Sequence, residues 1–562
     1  MAGPVLAWIG EGVLGVKVAC LNGLKLIKTR GPSQLQFWFI ALAIGIAAGF
    51  AALFFRLGIN WIQGLLYGAT DAARLETAVS RLAWYQVLII PILGGLAVGL
   101  ILDRFTDDGR ARSVSDVIEG AALNEGRVAV RRGFASALAS LITLSTGGSS
   151  GREGPVVHLA AVLSTIVCRL IRANGITGRD LLGCAVVAAV SASFNAPLAG
   201  ALFALEVVLR HFAVHAFAPI VIASVSGAVI NRLAFGDVTE FVLPVQNNLA
   251  FYVELPAFLL LGLVCGLVAF ILMRAVFWAD DLGTELQKAT GIPRYLRPAV
   301  AGALLGSLAI FWPHIIGVGY ETMSDALTGK MVMHEAIVFA VLKVVAVAIT
   351  FGGRMGGGIF SPSLMVGALT GLAFGAIATG IFPNMSGAVT IYALAGMGAV
   401  AAAVLGAPIS TTLIVFELTG DWQTAMAVMV SVSLSTALAS SLVDRSFFLT
   451  QLERRNVHLA AGPQAYLLAT FRVATVMRKV GSKRAAAEDA CWELVEQGVY
   501  IDGNATLERA MPMFEEANHA FIPVVTLGGD DSPPELWGAL FQVDALRAMN
   551  KALAATAKEE HS

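Results

Sequence analysis

Ser145-Thr146-Gly147-Gly148-Ser149-Ser150-Gly151-Arg152-Glu153-Gly154-Pro155 places two charges and four glycines between two long apolar runs. A charged side chain deep in a bilayer costs about 2.5–3.5 kcal/mol by insertion scales, so such charges mark a pathway or a pair. Pro155 fits the first position of a helix, where a missing N–H costs nothing, and the apolar run Val156 to Leu163 follows. Glu153 then sits just before a helix N-terminus, whose unpaired N–H donors and partial positive charge hold an anion, whether a carboxylate or a free ion. The alternative is a surface loop outside the membrane in which the glycines serve only the turn. A nucleotide loop fits poorly: Gly148-x-x-Gly151-x-x-Gly154 lacks the dinucleotide spacing, and no Gly-Lys-Ser/Thr follows.

Working outward, the 562 residues are 57% hydrophobic and only 14% charged, which excludes a soluble enzyme and indicates a polytopic membrane protein embedded in lipid. A net charge of -1 gives no electrostatic case for a nucleic-acid partner. Cys20, Cys168, Cys184, Cys265 and Cys491 are odd in number without paired spacing, and read as small buried hydrophobes. His211 and His215 stand four apart, but no Glu follows His211 and no Cys-x-x-Cys occurs, so they read as interfacial histidines and not as a metal site.

Lys17, Lys25, Lys28 and Arg30 come too late for a signal peptide. Residues 1–34 fit an interfacial helix on the cytoplasmic face, which places the N-terminus inside. Apolar spans follow at about 35–62 and 84–100, with Trp38, Trp61 and Trp84 near their ends. Asp103 to Arg112 reads as a solvated connection. Later apolar segments, among them 155–172, 180–208, 362–382 and 407–419, are often short and broken by Gly or Pro. Such breaks are tolerated in a membrane where the freed backbone faces protein or a polar cavity.

An internal repeat organises the whole. Ala196-Pro197-Leu198-Ala199-Gly200-Ala201-Leu202-Phe203-Ala204-Leu205-Glu206 matches Ala407-Pro408-Ile409-Ser410-Thr411-Thr412-Leu413-Ile414-Val415-Phe416-Glu417, with Ala-Pro opening and Glu closing both. A glycine-rich approach to a proline precedes each copy: Gly151 to Pro155, and Gly356-Gly357-Gly358-Ile359-Phe360-Ser361-Pro362. The proline separations are 42 residues (155 to 197) and 46 (362 to 408). In transporters such duplicated halves meet near the bilayer midplane, with broken helix ends aimed at the substrate.

Gly151-Arg152-Glu153-Gly154-Pro155, Phe194-Asn195-Ala196-Pro197-Leu198-Ala199-Gly200, Gly358-Ile359-Phe360-Ser361-Pro362 and Gly406-Ala407-Pro408 together resemble the CLC family of chloride channels and chloride/proton antiporters. The resemblance covers about residues 35–455. It implies an all-α membrane domain of two inverted repeats, about 35–235 and 250–450, forming a homodimer with one anion pathway per subunit. By position, Glu153 matches the family's gating glutamate, flanked by Gly151, Arg152 and Gly154 at the anion site. Ile359 and Phe360 match the residues whose backbone N–H groups line the central site, donors that attract a halide without holding it fast.

Three departures stand out. The family's Gly-Ser-Gly-Ile-Pro element falls on Ala111-Arg112-Ser113-Val114-Ser115, so either Arg112 or Ser113 takes the place of the anion-contacting serine. The coordinating tyrosine aligns with Phe448, which keeps the aromatic wall and loses the hydroxyl. With both hydroxyls in question, the central site is expected to rely on backbone amides and to bind chloride weakly. The position of the inner proton-transfer glutamate of antiporters is Val207, which cannot relay protons. Its neighbour Glu206 closes the repeat and reads as a helix-end or packing residue.

After about Arg454 charges rise, and 456–562 reads as a cytoplasmic domain. Residues 473–550 resemble a single, irregular CBS repeat, a small α/β unit: Ala474 to Met477 its opening, Thr506 to Met511 a helix, Phe521 to Val525 a core strand, Gly538 to Asp544 a strand entering a helix. Such repeats often bind adenine nucleotides in pairs. Here the second repeat is missing and Phe541 replaces the expected Ser/Thr, so the expectation is a dimer-contacting or regulatory unit with no cofactor.

The sequence therefore leads to a passive, Glu153-gated chloride pathway in the cell membrane with both termini cytoplasmic. The rivals are chloride/proton exchange by a relay that bypasses Val207, transport of another small anion, and a membrane-embedded enzyme using Glu153 and His158. The last lacks a nucleophile–base–orienter set.

Overall fold

The structure is a computed structural model that describes residues 32–560 apart from 70–73, 174, 211–213, 237–250, 384–385, 444, 458, 460–467, 469–470, 483, 518 and 527–534. The expected helix over 1–34 lies almost wholly outside the described residues, as do Cys20 and His211. Apolar sequence becomes helix throughout the first half: α1 Gln34–Tyr67, α2 Leu75–Val79, α3 Trp84–Phe105, α4 Val114–Leu123, α5 Val130–Ser145, α6 Glu153–Ile171, α7 Gly175–Phe194, α8 Pro197–Phe203 and α9 Val214–Phe235. The second half runs α10 Phe251–Thr290, α11 Arg297–Phe311, α12 Tyr320–Leu327, α13 Met333–Gly352, α14 Phe360–Ile381, α15 Val389–Leu405, α16 Pro408–Thr419, α17 Trp422–Leu442 and α18 Phe447–Glu453. Among the described residues, nine helices are long and apolar enough to cross a membrane. The run expected at 180–208 is broken: α7 ends at Phe194, Pro197 starts α8, and a π-helical turn, Ala204–Leu209, follows.

Small residues let these helices touch backbone to backbone, which is how apolar helices associate where lipid offers no hydrophobic drive. Gly262 and Gly266 lie one turn apart on α10, where an added Cβ would stand 2.7 Å from the Ser431 carbonyl oxygen and 2.9 Å from that of Ser435 on α17. On α14, a Cβ at Gly367 would meet the Gly396 carbonyl oxygen of α15 at 2.4 Å. α7, α14 and α15 are buried along most of their length, so the core lies at the centre of the helical body with α1, α3 and α10 toward the lipid side.

The two halves lock by reciprocal caps. Glu417 of α16 accepts the Leu198 and Ala199 N–H groups of α8 at 2.9 and 2.7 Å. Glu206, in the π-helical turn, accepts those of Ile409 and Ser410 on α16 at 3.0 and 2.8 Å, with the Ser410 hydroxyl at 2.5 Å. Each repeat thus satisfies helix-start donors in the other that would otherwise be orphaned in an apolar setting. This is the helix-end role expected of Glu206.

Two expectations need correction. Pro155 is not the first helical residue: α6 begins at Glu153, two residues earlier, because the opening N–H groups need no intrahelical partner and proline is tolerated anywhere in that first turn. Asp103 to Arg112 is not simply a solvated connection either. Asp103 and the exposed Arg104 belong to α3, and the other two arginines are half-buried in ion pairs: Arg110 to Asp280 at 2.9 Å, and Arg112 to Asp108 and Asp116 at 3.1 and 3.2 Å.

The C-terminal region is a small α/β unit. Helices α19 Val473–Val476, α20 Glu488–Glu496, α21 Leu507–Ala517 and α22 Gln542–Glu560 surround an antiparallel sheet of β1 Arg478–Lys479, β2 Phe521–Thr526 and β3 Glu535–Phe541, with β3 central. Its own core joins Val473, Leu507, Ile522, Val524 and Leu540.

Candidate functional site

The glycine-rich approaches of the two repeats meet at their backbones. Gly151 and Gly358 form an antiparallel bridge in which each N–H donates to the other's carbonyl at 2.7 Å. A Cβ on Gly358 would lie 2.9 Å from the Gly154 nitrogen, so only glycine permits this approach. Immediately beyond, α6 begins at Glu153 and α14 at Phe360, bringing two helix N-termini, with their free donors and partial positive charge, to one place. Such a junction can hold one anion, or a carboxylate in its stead.

Glu153 occupies this junction, 3% exposed, and its Oε1 accepts a hydrogen bond from the Ser361 hydroxyl at 2.5 Å. It lines a cavity with Ser113, Gly154, Ile359, Phe360, Phe447 and Phe448 that admits little more than one water-sized particle. Phe360 is held by the rings of Phe194 and Phe203 at 4.6 and 5.8 Å, and Phe447 by Phe277 at 5.0 Å and Phe351 at 5.9 Å. Ser113, not Arg112, therefore reaches the cavity. Arg112 is engaged by Asp108 and Asp116, and its own N–H donates to the Ser136 hydroxyl at 2.9 Å.

Gly151 serves the bridge. Arg152 faces a separate pocket of similar size, shared with Arg56, Gln63, His314 and Tyr320. Its guanidinium donates to the Ser193 carbonyl at 3.1 Å and lies 5.5 Å from the Tyr320 ring centre. Val207 is buried in the π-helical turn and does not line the Glu153 cavity. His158 lies buried on α6, a turn beyond Glu153. Cys168, Cys184, Cys265 and Cys491 are buried free thiols, and among the described residues no group of His, Cys, Asp and Glu is arranged to hold a metal ion.

Sequence reasoning missed the Ser361 hydroxyl. Pairing Glu153-Gly154-Pro155 with Phe360-Ser361-Pro362 sets Ser361 opposite Gly154, a register that would have brought it next to the acid. It also missed Lys343 on α13, fully buried, which donates to the Ile315 and Gly317 carbonyls at 3.2 and 2.9 Å and anchors the segment leading to Tyr320.

A family profile described as voltage gated chloride channel matches residues 94–440, more than half of the chain. A ClcB-like protein of Ralstonia nicotianae is 31% identical over 70% of this chain and 91% of its own length. The voltage-gated ClC-type chloride channel ClcB of Escherichia coli is 28% identical over 73% of this chain and 97% of its own. The fold is similar to that of a slow cyanobacterial Cl-/H+ antiporter, with a TM-score of 0.66 at 20% identity over 75% of this chain and 98% of that one. It is similar also to a eukaryotic CLC transporter, with a TM-score of 0.63 at 18% identity over 91% and 98%. This chain belongs to the CLC family of voltage-gated chloride channels and related transporters, a family of anion carriers and not of enzymes, and its activity is CLC-type chloride transport across a membrane.

Proposed function

We propose that the chain is a passive chloride pathway in which the Glu153 carboxylate competes with the anion for one site and gates by leaving it. The observation that carries this is the position of Glu153: buried at the junction of two helix N-termini, held by Ser361, and lining a cavity no larger than a single small particle. A proton that neutralises this carboxylate and an anion that replaces it both act on the same group. Passive flow is favoured over exchange by Val207, an apolar side chain where the resemblance expects a proton-transferring acid, and by relatives named as chloride channels. The central site holds chloride through backbone amides, with Phe448 as wall and Ser113 at its edge, and binds it weakly. Micromolar affinity in a calorimetric titration would contradict this. The assembly is a homodimer in the cell membrane with both termini cytoplasmic, and the C-terminal α/β unit is a single CBS-like regulatory module.

The decisive measurement is the reversal potential of the protein reconstituted in vesicles. Passive transport gives a potential set by the chloride gradient alone. A shift with pH at fixed chloride, or uphill proton movement driven by chloride, establishes exchange and overturns the proposal.

A further inference from the structure

On the side of the Glu153 cavity walled by Ser113, Phe351, Gly357 and Phe447 lies a wider chamber of about 630 Å³, its mouth included, against about 380 Å³ for the Glu153 cavity taken the same way. Arg110, Arg354, Arg454 and Arg455 line it, with Asp280 the lone acid among its described lining residues. That carboxylate is shared three ways: Arg110 at 2.9 Å, Arg354 at 3.7 Å and, from behind the wall, Arg297 at 3.0 Å. Asp116 is likewise shared, by Arg455 at 2.9 Å and Arg112 at 3.2 Å. Arg454 pairs with Asp281 and lies over the Phe277 ring. Guanidinium charge therefore exceeds carboxylate charge around a half-buried chamber, where screening by water and salt is weaker than at an open surface.

A guanidinium attracts chloride too, but a monatomic ion uses little of the planar fork's geometry. Those forks match the paired oxygens of phosphate-type anions. The chamber also narrows inward: Phe351 and Phe447, packed edge to face, stand between it and the smaller Glu153 cavity. An oxyanion drawn in by the arginines cannot go on.

We infer that this chamber is a binding site for a polyvalent phosphate-type oxyanion, held by Arg354, Arg110 and Arg455, which plugs the pathway from that side. The plugging rests on the chloride pathway proposed above; the binding does not.

Calorimetric titration of the purified full chain with inorganic pyrophosphate tests binding directly. Saturable binding, weakened about tenfold or more by Arg354→Lys, which keeps the charge and loses the fork, is the expected result. Arg354 also supports the chain by donating to the Asp108 carbonyl at 3.1 Å, so Arg110→Gln, at the more exposed rim, serves as a second variant with a loss of about fivefold. Glu153→Gln should bind pyrophosphate as the parent does, which separates failure of this site from failure of the gate. Absence of binding, or equal binding by both arginine variants, overturns the site. Binding without loss of chloride flux when pyrophosphate is on the chamber's side overturns the plug. Vesicles containing phosphatidic acid separate the sources: displacement of pyrophosphate by the lipid supports a headgroup as occupant, and unchanged binding supports a soluble phosphate.

Discussion

The two glycine-rich approaches, Gly151 to Pro155 and Gly357 to Pro362, have the same backbone and different chemistry. Each delivers a glycine to the shared bridge, starts a helix within two residues, and reaches its proline in the first turn. Only the first carries charge, Arg152 and Glu153; the second offers Ile359, Phe360 and the Ser361 hydroxyl. The farther pair of motifs behaves in the opposite way, since Glu206 and Glu417 each accept two helix-start N–H groups from the other half, Glu206 taking the Ser410 hydroxyl as well. Duplication therefore preserved what builds the junction, glycine, proline and cap, while the side chains that meet the ion were free to diverge. One acid at the centre suffices, because two carboxylates facing each other across so small a cavity would repel.

The sharpest way to break this asymmetry is to remove its single acid. Glu153→Gln should abolish the dependence of flux on external pH, reducing a change of about tenfold or more across the acidic range to less than about twofold. Chloride flux from vesicles buffered at stepwise pH reads this directly. A variant that keeps the parent's profile would move the gate to another residue.

The symmetric pair gives the converse test. Glu206→Ala and Glu417→Ala each leave two helix-start N–H groups without their carboxylate, at a cost of about 2 kcal/mol or more. Thermal unfolding in detergent should show the two losses to be nearly equal. A clearly larger effect on transport than on stability at Glu206 alone would give that residue a second duty beside Val207.

A smaller effect is expected at the hydroxyl that answers the acid. Ser361→Ala removes the donor that holds Glu153 in place, a charge-assisted bond of about 1.5–3 kcal/mol in sites of this kind, part of which water recovers. Flux at neutral pH should rise about three- to tenfold because the plug leaves more readily. No change in the Glu153→Gln background would confirm that the two residues act together.

How much of this was written in the chain depends on which force placed each residue. The break at 405–408, the repeat, and the convergence on Glu153 follow from proline, glycine and charge in apolar surroundings, features whose cost is local and therefore legible; the break at 194–197 fell inside a run read as one apolar segment. The choice between Arg112 and Ser113 was not legible: it turns on Asp108, Asp116 and the distant Arg455, a set of ion pairs that no spacing reveals. Asp280 shows the same limit, for it collects arginines from positions 110, 297 and 354 that only the packed helices bring together. The start of α6 at Glu153 was misjudged by two residues because a first-turn proline constrains the helix start only to within that turn.

The last difference between the halves lies outside them, since the C-terminal α/β unit rests on the first repeat. Arg472 pairs with Glu125 in the turn after α4, and Glu508, at the start of α21 and 3% exposed, faces Arg179 of α7 and Arg210 after the π-helical turn, with Arg445 close behind. Burial pushes the Glu508 carboxyl up to about 7, against the opposing pull of Arg179 and Arg210. A group that binds its proton more tightly when docked than when free stabilises docking most at low pH, and that contribution is lost as pH rises from the ordinary glutamate range through about 7. Docking of the unit should therefore weaken modestly between pH 5 and pH 8, read as faster proteolytic release of the unit from the helical body. Glu508→Gln, uncharged throughout, should flatten the profile at its low-pH level. If Glu508→Gln instead weakens docking at every pH, the carboxylate is held by its arginines as an ion pair, and the unit is tied to the first repeat by charge and not by burial.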